Sequence, residues 1–368
     1  MKNPRILKRA TWACLSLLLL FGLHSCQQEK QQAAPVSAMV SNASKAEFVA
    51  PVCKKQKKEM TIHGDTRTDN YYWLNDKENT EVISYLEAEN TYKTKMLSHL
   101  KDFQEDVFQE MKGRIKQDDS SVPYKNNGYF YYTRFEEGKE YPIYCRKKEN
   151  VSQAENILLN VNNMAEGFDF YQIGNWQVSP NNQIIGYAED TLSRRKYTLK
   201  FKNLATGKVY PDEIANTAGS IVWANDNKTF FYNRKDSTLR AHKIFKHVLG
   251  TPVSQDEEIF HESDPTFSCY VYKTRSKKYI VIGSYHTLMS EYRVLDADTP
   301  NGNWQMIQAR TKDLEYDIAH FQDKWYIRTN KDAKNFRLMA TPITATTQEN
   351  WTEVIPHKGF LTKTLLGL

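Results

Sequence analysis

The sequence predicts a mainly β protein: an incomplete β-propeller of about five blade-like repeats, preceded by an α-helical amino-terminal arm. Two observations predict it. Segments rich in Tyr, Phe, Ile and Val recur along the chain with polar turns between them, and such residues suit a pleated, half-buried surface. Aligned on their centres, the anchors Phe130, Ile185, Phe230, Ile280 and Trp325 stand about 45 to 55 residues apart, a period that with about four strands per copy marks a propeller. A β-sandwich would not repeat its unit five times. Each unit is too small to bury its own faces, so the copies must stack.

The 368 residues leave room for two domains. Fifty basic and 44 acidic side chains give a net charge of +6, mild and dispersed, which leaves a nucleic-acid surface unsupported. The amino terminus is an export signal. Lys2, Arg5, Lys8 and Arg9 precede an apolar run from Thr11 to Leu23 that is too short to span a bilayer stably. It ends in Leu23-His24-Ser25-Cys26, which resembles a bacterial lipobox. That resemblance implies a lipoprotein signal peptide over 1–25, cleavage before Cys26 and lipidation of its sulfur. Residues 26–47 are small and polar, a flexible tether. The expected location is the bacterial cell envelope, lipid-anchored on the periplasmic side.

Residues 48–117 are read as the arm. Its basic cluster Lys54–Lys58 suits a solvated extended segment, and Tyr71, Tyr72 and Trp73 suit packing anchors. Asn79 or Thr80 can cap a helix with Glu81 in its first turn. Val82, Leu86, Met96, Leu100, Phe103, Val107, Met111 and Ile115 then form an apolar stripe at helical spacing from Met96 onward, carried by one long helix or two consecutive ones. A stripe this exposed needs a large partner surface.

Residues 118–357 hold the repeats. The first opens with an aromatic hairpin, Tyr129–Phe135 and Glu140–Arg146, whose turn places Gly138 where a positive φ is wanted. Four further copies follow, centred on Ile185, Phe230, Ile280 and Trp325. Residues 358–368 are apolar without strand or turn logic.

Five cysteines are present. Cys14 and Cys26 belong to the export segment, and Cys53, Cys145 and Cys269 read as free thiols. No C-x-x-C, H-E-x-x-H or phosphate-binding Gly loop occurs, so no metal or cofactor is expected. No G-x-S-x-G elbow occurs either. The nearest pairs, Gly219-Ser220 and Gly283-Ser284, lack the second Gly. Asp118-Asp119 and Glu136-Glu137 sit beside turns and suit solvated carboxylates better than an acid/base pair. No catalytic residue is assigned.

Several motifs carry a family resemblance: Met60–Asp65, Asp69–Leu74, Tyr85–Asn90, Gly113–Pro123, Tyr131–Arg134 and Glu136–Tyr144. Over roughly 52–357 the chain resembles the oligopeptidase B branch of the prolyl oligopeptidase family of serine peptidases. The resemblance implies a propeller covering an α/β-hydrolase domain, an arm wrapped back onto that domain, and cleavage of short peptides after Lys or Arg. The α/β-hydrolase domain with its Ser, Asp and His is not found in these residues, and a frameshift or premature stop near the last repeat is one expectation. The chain is then expected to be inactive alone, with a complementing hydrolase domain and short peptides as partners and the lipid anchor as its membrane contact. The alternative is a lipid-anchored, non-catalytic propeller that binds a partner.

Overall fold

The computed structural model describes residues 49–358. The signal peptide, Cys26, the tether and residues 359–368 lie outside them. The chain divides into two compact units, up to Ile115 and from Lys116 onward.

The first unit begins with a hairpin, β1 (Lys58–Ile62) and β2 (Asp65–Asp69), paired antiparallel. It turns at His63 and Gly64, both at positive φ. The sequence reading assigned no strand to these residues. The strands are exposed on both sides, so no alternation betrays them. Two helices follow, α1 (Thr80–Met96) and α2 (Lys101–Gly113). Asn79 Oδ1 caps the first by accepting from Glu81 N at 2.9 Å, satisfying one of its free amide groups. Val82 is buried, whereas Phe103, Val107 and Met111 of the stripe are exposed. Of the three aromatics read as anchors, Trp73 packs, donating Nε1–H to Lys54 O at 2.9 Å and lying 6.5 Å from the Tyr85 ring. Tyr71 and Tyr72 instead lie on the surface, where the Lys58 ammonium covers the Tyr72 ring at 3.4 Å.

The second unit is a run of five four-stranded antiparallel blades. Blade 1 holds β3 (Tyr124–Asn126), β4 (Tyr129–Arg134), β5 (Ile143–Lys148) and β6 (Asn156–Asn160). A short helix, α3 (Val161–Met164), leads to blade 2: β7 (Gln172–Val178), β8 (Ile184–Asp190), β9 (Tyr197–Asn203) and β10 (Val209–Thr217). Blade 3 is β11 (Val222–Trp223), β12 (Thr229–Lys235), β13 (Ala241–Val248) and β14 (Glu257–His261). Blade 4 is β15 (Ser268–Lys273), β16 (Tyr279–His286), β17 (Met289–Asp296) and β18 (Gln305–Gln308). Blade 5 is β19 (Tyr316–Phe321), β20 (Lys324–Thr329), β21 (Arg337–Pro342) and β22 (Thr352–Ile355). Each is a simple meander; blades 2 and 3 are joined into one sheet by a pairing of Thr217 with Arg234.

Strand alternation makes the blades stack. Successive residues of a strand point to opposite faces, and each face of an inner blade meets a neighbour. In β8, Ile185 and Tyr187 pack with Tyr131 and Leu159 of blade 1, while Ile184 and Ala188 pack with Trp223 and Phe230 of blade 3. In β12, Phe230 and Tyr232 turn to blade 2 and Phe231 to blade 4. In β16, Ile280 and Ile282 face blade 3 and Val281 faces blade 5. These strands are therefore buried almost continuously. In β20 only Trp325, Ile327 and Thr329 are buried, because blade 5 has one neighbour among the described residues. Cys145 and Cys269 are buried free thiols and Cys53 is a half-buried one; burial pushes the thiols of Cys145 and Cys269 up to about 12.

Phe230, fully buried where Phe201 and Trp223 meet it at 4.6 and 5.3 Å, should lose about 3–5 kcal/mol of stability on change to Ala. Phe321, an exposed aromatic of blade 5, should lose no more than about 0.5 kcal/mol on the same change. Urea unfolding of the two variants beside the parent checks the contrast.

Candidate functional site

The turns between the first and second strands of the blades lie at one end of the stack. Each holds a non-glycine residue at positive φ: Asn127, Asn182, Asn227, Lys277 and Gln322. Asn accepts this conformation more readily than most side chains. The turns are stitched together. Asn127 Nδ2 donates to Pro180 O at 2.5 Å, Asn181 N to Asn227 Oδ1 at 2.7 Å, and Asn225 Nδ2 to Lys277 O at 3.3 Å. Lys277 Nζ then reaches Asn126 Oδ1 at 3.0 Å, linking blade 4 to blade 1. Turns of non-adjacent blades can meet only near the axis, so the first strand of each blade is the innermost.

In a meander, the second-to-third strand turns fall at the opposite end. There a cavity of about 720 Å³ opens between blades 3, 4 and 5, with Arg240, Tyr270, Tyr285, Tyr292, Glu315 and Asp317 among its walls. Tyr270 and Tyr292 share a hydroxyl hydrogen bond of 3.0 Å, and Tyr292 OH also lies 3.1 Å from Asp317 Oδ1. Asp317 is ion-paired with Arg328. Burial raises both tyrosine hydroxyls above their ordinary range, so they stay neutral.

Three polar clusters lie elsewhere in the blades. Ser284, one of the serines weighed from sequence, donates to Glu262 and lies 3.4 Å from Arg310; its partners are a carboxylate and a guanidinium, not a base that could activate it. Arg310 also bonds Glu291 at 2.9 Å. Burial opposes ionisation of Glu291, but Arg310 and Arg293 prevail and hold it at about 2. Ser276 Oγ lies 2.9 Å from His320 Nδ1, yet the buried Nε2 of that histidine makes no hydrogen bond to a carboxylate, so no triad is completed. His247 stands between Asp256, 2.5 Å from Nδ1, and Asp212, 3.1 Å from Nε2. All three side chains are closed to solvent, and Tyr232 OH donates to Asp256 at 2.7 Å. This cluster holds structure and reaches no substrate.

Ser220 lies between β10 and β11, its N–H 3.4 Å from Asn233 Oδ1. Asp118, Asp119, Glu136 and Glu137 are exposed, with Asp119 near Lys116 and Glu136 paired to Arg134. Among the described residues no group of three or more His, Cys, Asp or Glu side chains could hold a metal. Sequence reasoning missed the cavity and the Asn-rich stitching. The stitching had a signal, since Asn127-Gly128, Asn181-Asn182 and Asn225-Asp226-Asn227 recur at the repeat period.

A family profile described as "Prolyl oligopeptidase, N-terminal beta-propeller domain" matches residues 51–363. Dipeptidyl aminopeptidase BI of Pseudoxanthomonas mexicana is 38% identical over 343 residues, covering 88% of this chain and 47% of the relative. Protease 2 of Moraxella lacunata is 34% identical over 301 residues, covering 80% and 44%. Among solved structures, oligopeptidase B from Leishmania major superposes with a TM-score of 0.79 at 28% identity, over 85% of this chain and 47% of that one. Oligopeptidase B from Trypanosoma brucei does so with 0.77 at 28% identity. The chain spans about half the length of the relatives it matches.

The His247 cluster makes a pH prediction. Burial disfavours the imidazolium, but the bonds to Asp256 and Asp212 outweigh it and raise the folded pKa above the ordinary 6.5. The folded state thus holds this proton more tightly than the unfolded chain. The stabilisation is complete below the unfolded value of about 6.5 and is lost as pH rises through the folded value. The urea midpoint should fall over that window in the parent, and less in His247→Gln.

Proposed function

The chain belongs to the prolyl oligopeptidase family, whose amino-terminal β-propeller domain it carries, and from this we propose that it is the propeller portion of an oligopeptidase B-like serine endopeptidase that cleaves short peptides after Lys or Arg. The observation that carries the reading is the joint match, in sequence to a protease and a dipeptidyl aminopeptidase and in fold to two oligopeptidases B over more than four-fifths of the chain. The chemistry would come from an α/β-hydrolase domain. Neither Ser284 nor Ser276 is set up as a nucleophile: Ser284 is engaged by Glu262, and Ser276 faces a histidine that no carboxylate orients. The propeller's part is access. A stack whose turns are tied at one end by Lys277 and Asn126 would hold its shape as a cover over that domain.

The proposal extends to location. Diacylation of Cys26 would supply more than one hydrocarbon chain, which is what stable anchoring requires, and the polar tether would let the body stand off the membrane.

The purified chain should leave an arginine 4-nitroanilide intact. The same chain joined to the hydrolase domain of a family member should cleave it and spare a proline analogue. Release of nitroaniline by the chain alone, sensitive to a serine-directed inhibitor, would overturn the account of its chemistry and leave no role for a merely partner-binding propeller. Removal of dipeptides from free amino termini by the joined protein would replace the endopeptidase assignment with the activity named for the Pseudoxanthomonas relative. Cys26→Ser should abolish palmitate incorporation and move the protein from membrane to soluble fractions; unchanged labelling would refute the anchor.

A further inference from the structure

We propose that the cavity between blades 3, 4 and 5 is a binding site for a cationic side chain, the Lys or Arg of a short peptide. Its size suits a small ligand: about 720 Å³ lies within the roughly 300–1,000 Å³ of ordinary ligand pockets. Its two arginines are both engaged. Arg240 is committed to Asp236 through Nε at 3.0 Å and to the carbonyls of Phe267 and Asp264 through Nη1 at 2.7 and 3.0 Å. Arg328 is committed to Asp317. Leu288 N lies 3.3 Å from His286 Nδ1. Glu315 is left. It is half-buried on the cavity wall, and among the described residues its partners reach only its backbone, Asn330 Oδ1 accepting from its N–H and Thr329 Oγ1 donating to its carbonyl. Among the described residues of the wall, Glu315 is then the carboxylate that no arginine is shown to neutralise.

The walls favour an organic cation over a metal ion. The carboxylates are too few for a metal site among the described residues, whereas aromatic faces are plentiful. The Tyr270 ring meets Tyr285 edge-on at 5.5 Å and 68°, and Tyr292 at 6.5 Å and 81°. Tyr285 is the half-exposed ring among them; an aromatic face attracts ammonium and guanidinium groups by cation–π contact, and a carboxylate in the same wall supplies a charge-assisted hydrogen bond. An anionic ligand would face Glu315 unpaired. The ligand's identity as a peptide rests on the reading of the chain as part of a Lys/Arg-directed peptidase; the preference for a cation does not.

The test is calorimetric titration of the full chain with a short peptide carrying one internal arginine, with its citrulline counterpart, and with free arginine amide. The arginine peptide should bind, with Kd rising about tenfold for citrulline and about tenfold for Glu315→Gln, as loss of one charge contact predicts. Tyr285→Leu, at a half-exposed ring, should weaken binding about threefold and gives an independent reading should the Glu315 variant melt early. Equal affinity for the arginine and citrulline peptides, or no binding by the parent, would overturn the site. Binding of arginine amide as tight as the peptide would overturn the peptide assignment. Cleavage specificity of the joined enzyme is read separately: a joined enzyme that does not cut after Lys or Arg, beside a chain that still prefers arginine to citrulline, refutes the proposed activity and supports the site.

Discussion

Everything in the second unit depends on one constraint: the second strand of each inner blade must serve two cores at once. A strand gives alternate side chains to opposite faces, and a lone blade has nothing to cover either face. Ile184 and Ile185, Phe230 and Phe231, and Ile280 and Val281 solve this as adjacent residues that enter different inter-blade cores. Stability is therefore a sum of neighbouring interfaces, as in other repeat proteins. It also explains why these strands read as continuous apolar runs rather than as the alternation of a one-sided sheet.

The apolar interfaces hold the blades face to face, but they are tolerant of sliding. The polar contacts fix the register. Asn225 bonds Lys277 O and Asp298 Oδ1, and Lys273 donates to Trp223 O at 2.9 Å. Such contacts are directional, so a displaced blade would break several of them together. The Glu262–Arg310–Glu291 cluster adds the same demand between blades 3 and 4 with charges, where removing one partner leaves another charge buried.

How much of this was legible in the sequence follows from the same constraint. The repeats, their period and their centres were readable because the doubly buried strands are strongly patterned. The outermost strands were not: Thr352–Ile355 is exposed throughout, and Val209–Thr217 mixes exposed and buried residues around shifts in register. The β1–β2 hairpin escaped for the same reason. The helix cap was readable to within Asn79 or Thr80 because it is local, and it is Asn79. The cavity was not, because Arg240, Tyr285 and Glu315 are brought together by blade stacking, and nothing in their local sequence marks them.

The two ends of the stack differ in a way that bears on function. At one end, short turns carry left-handed residues and bond to one another across the axis, which leaves that end tied. At the other, the connecting turns are spread by the blades' radial arrangement, and the side chains between them are tyrosines, paired ions and one unpaired carboxylate. A tied end resists deformation and an open, polar end accepts a ligand. The asymmetry follows from the meander itself, because only turns that close the innermost pair of strands lie near enough to the axis to meet. A propeller acting as a cover would gain from this division: its rigidity and its recognition occupy opposite ends, so a side chain at Glu315 or Tyr285 can change without touching the contacts that keep the blades in register.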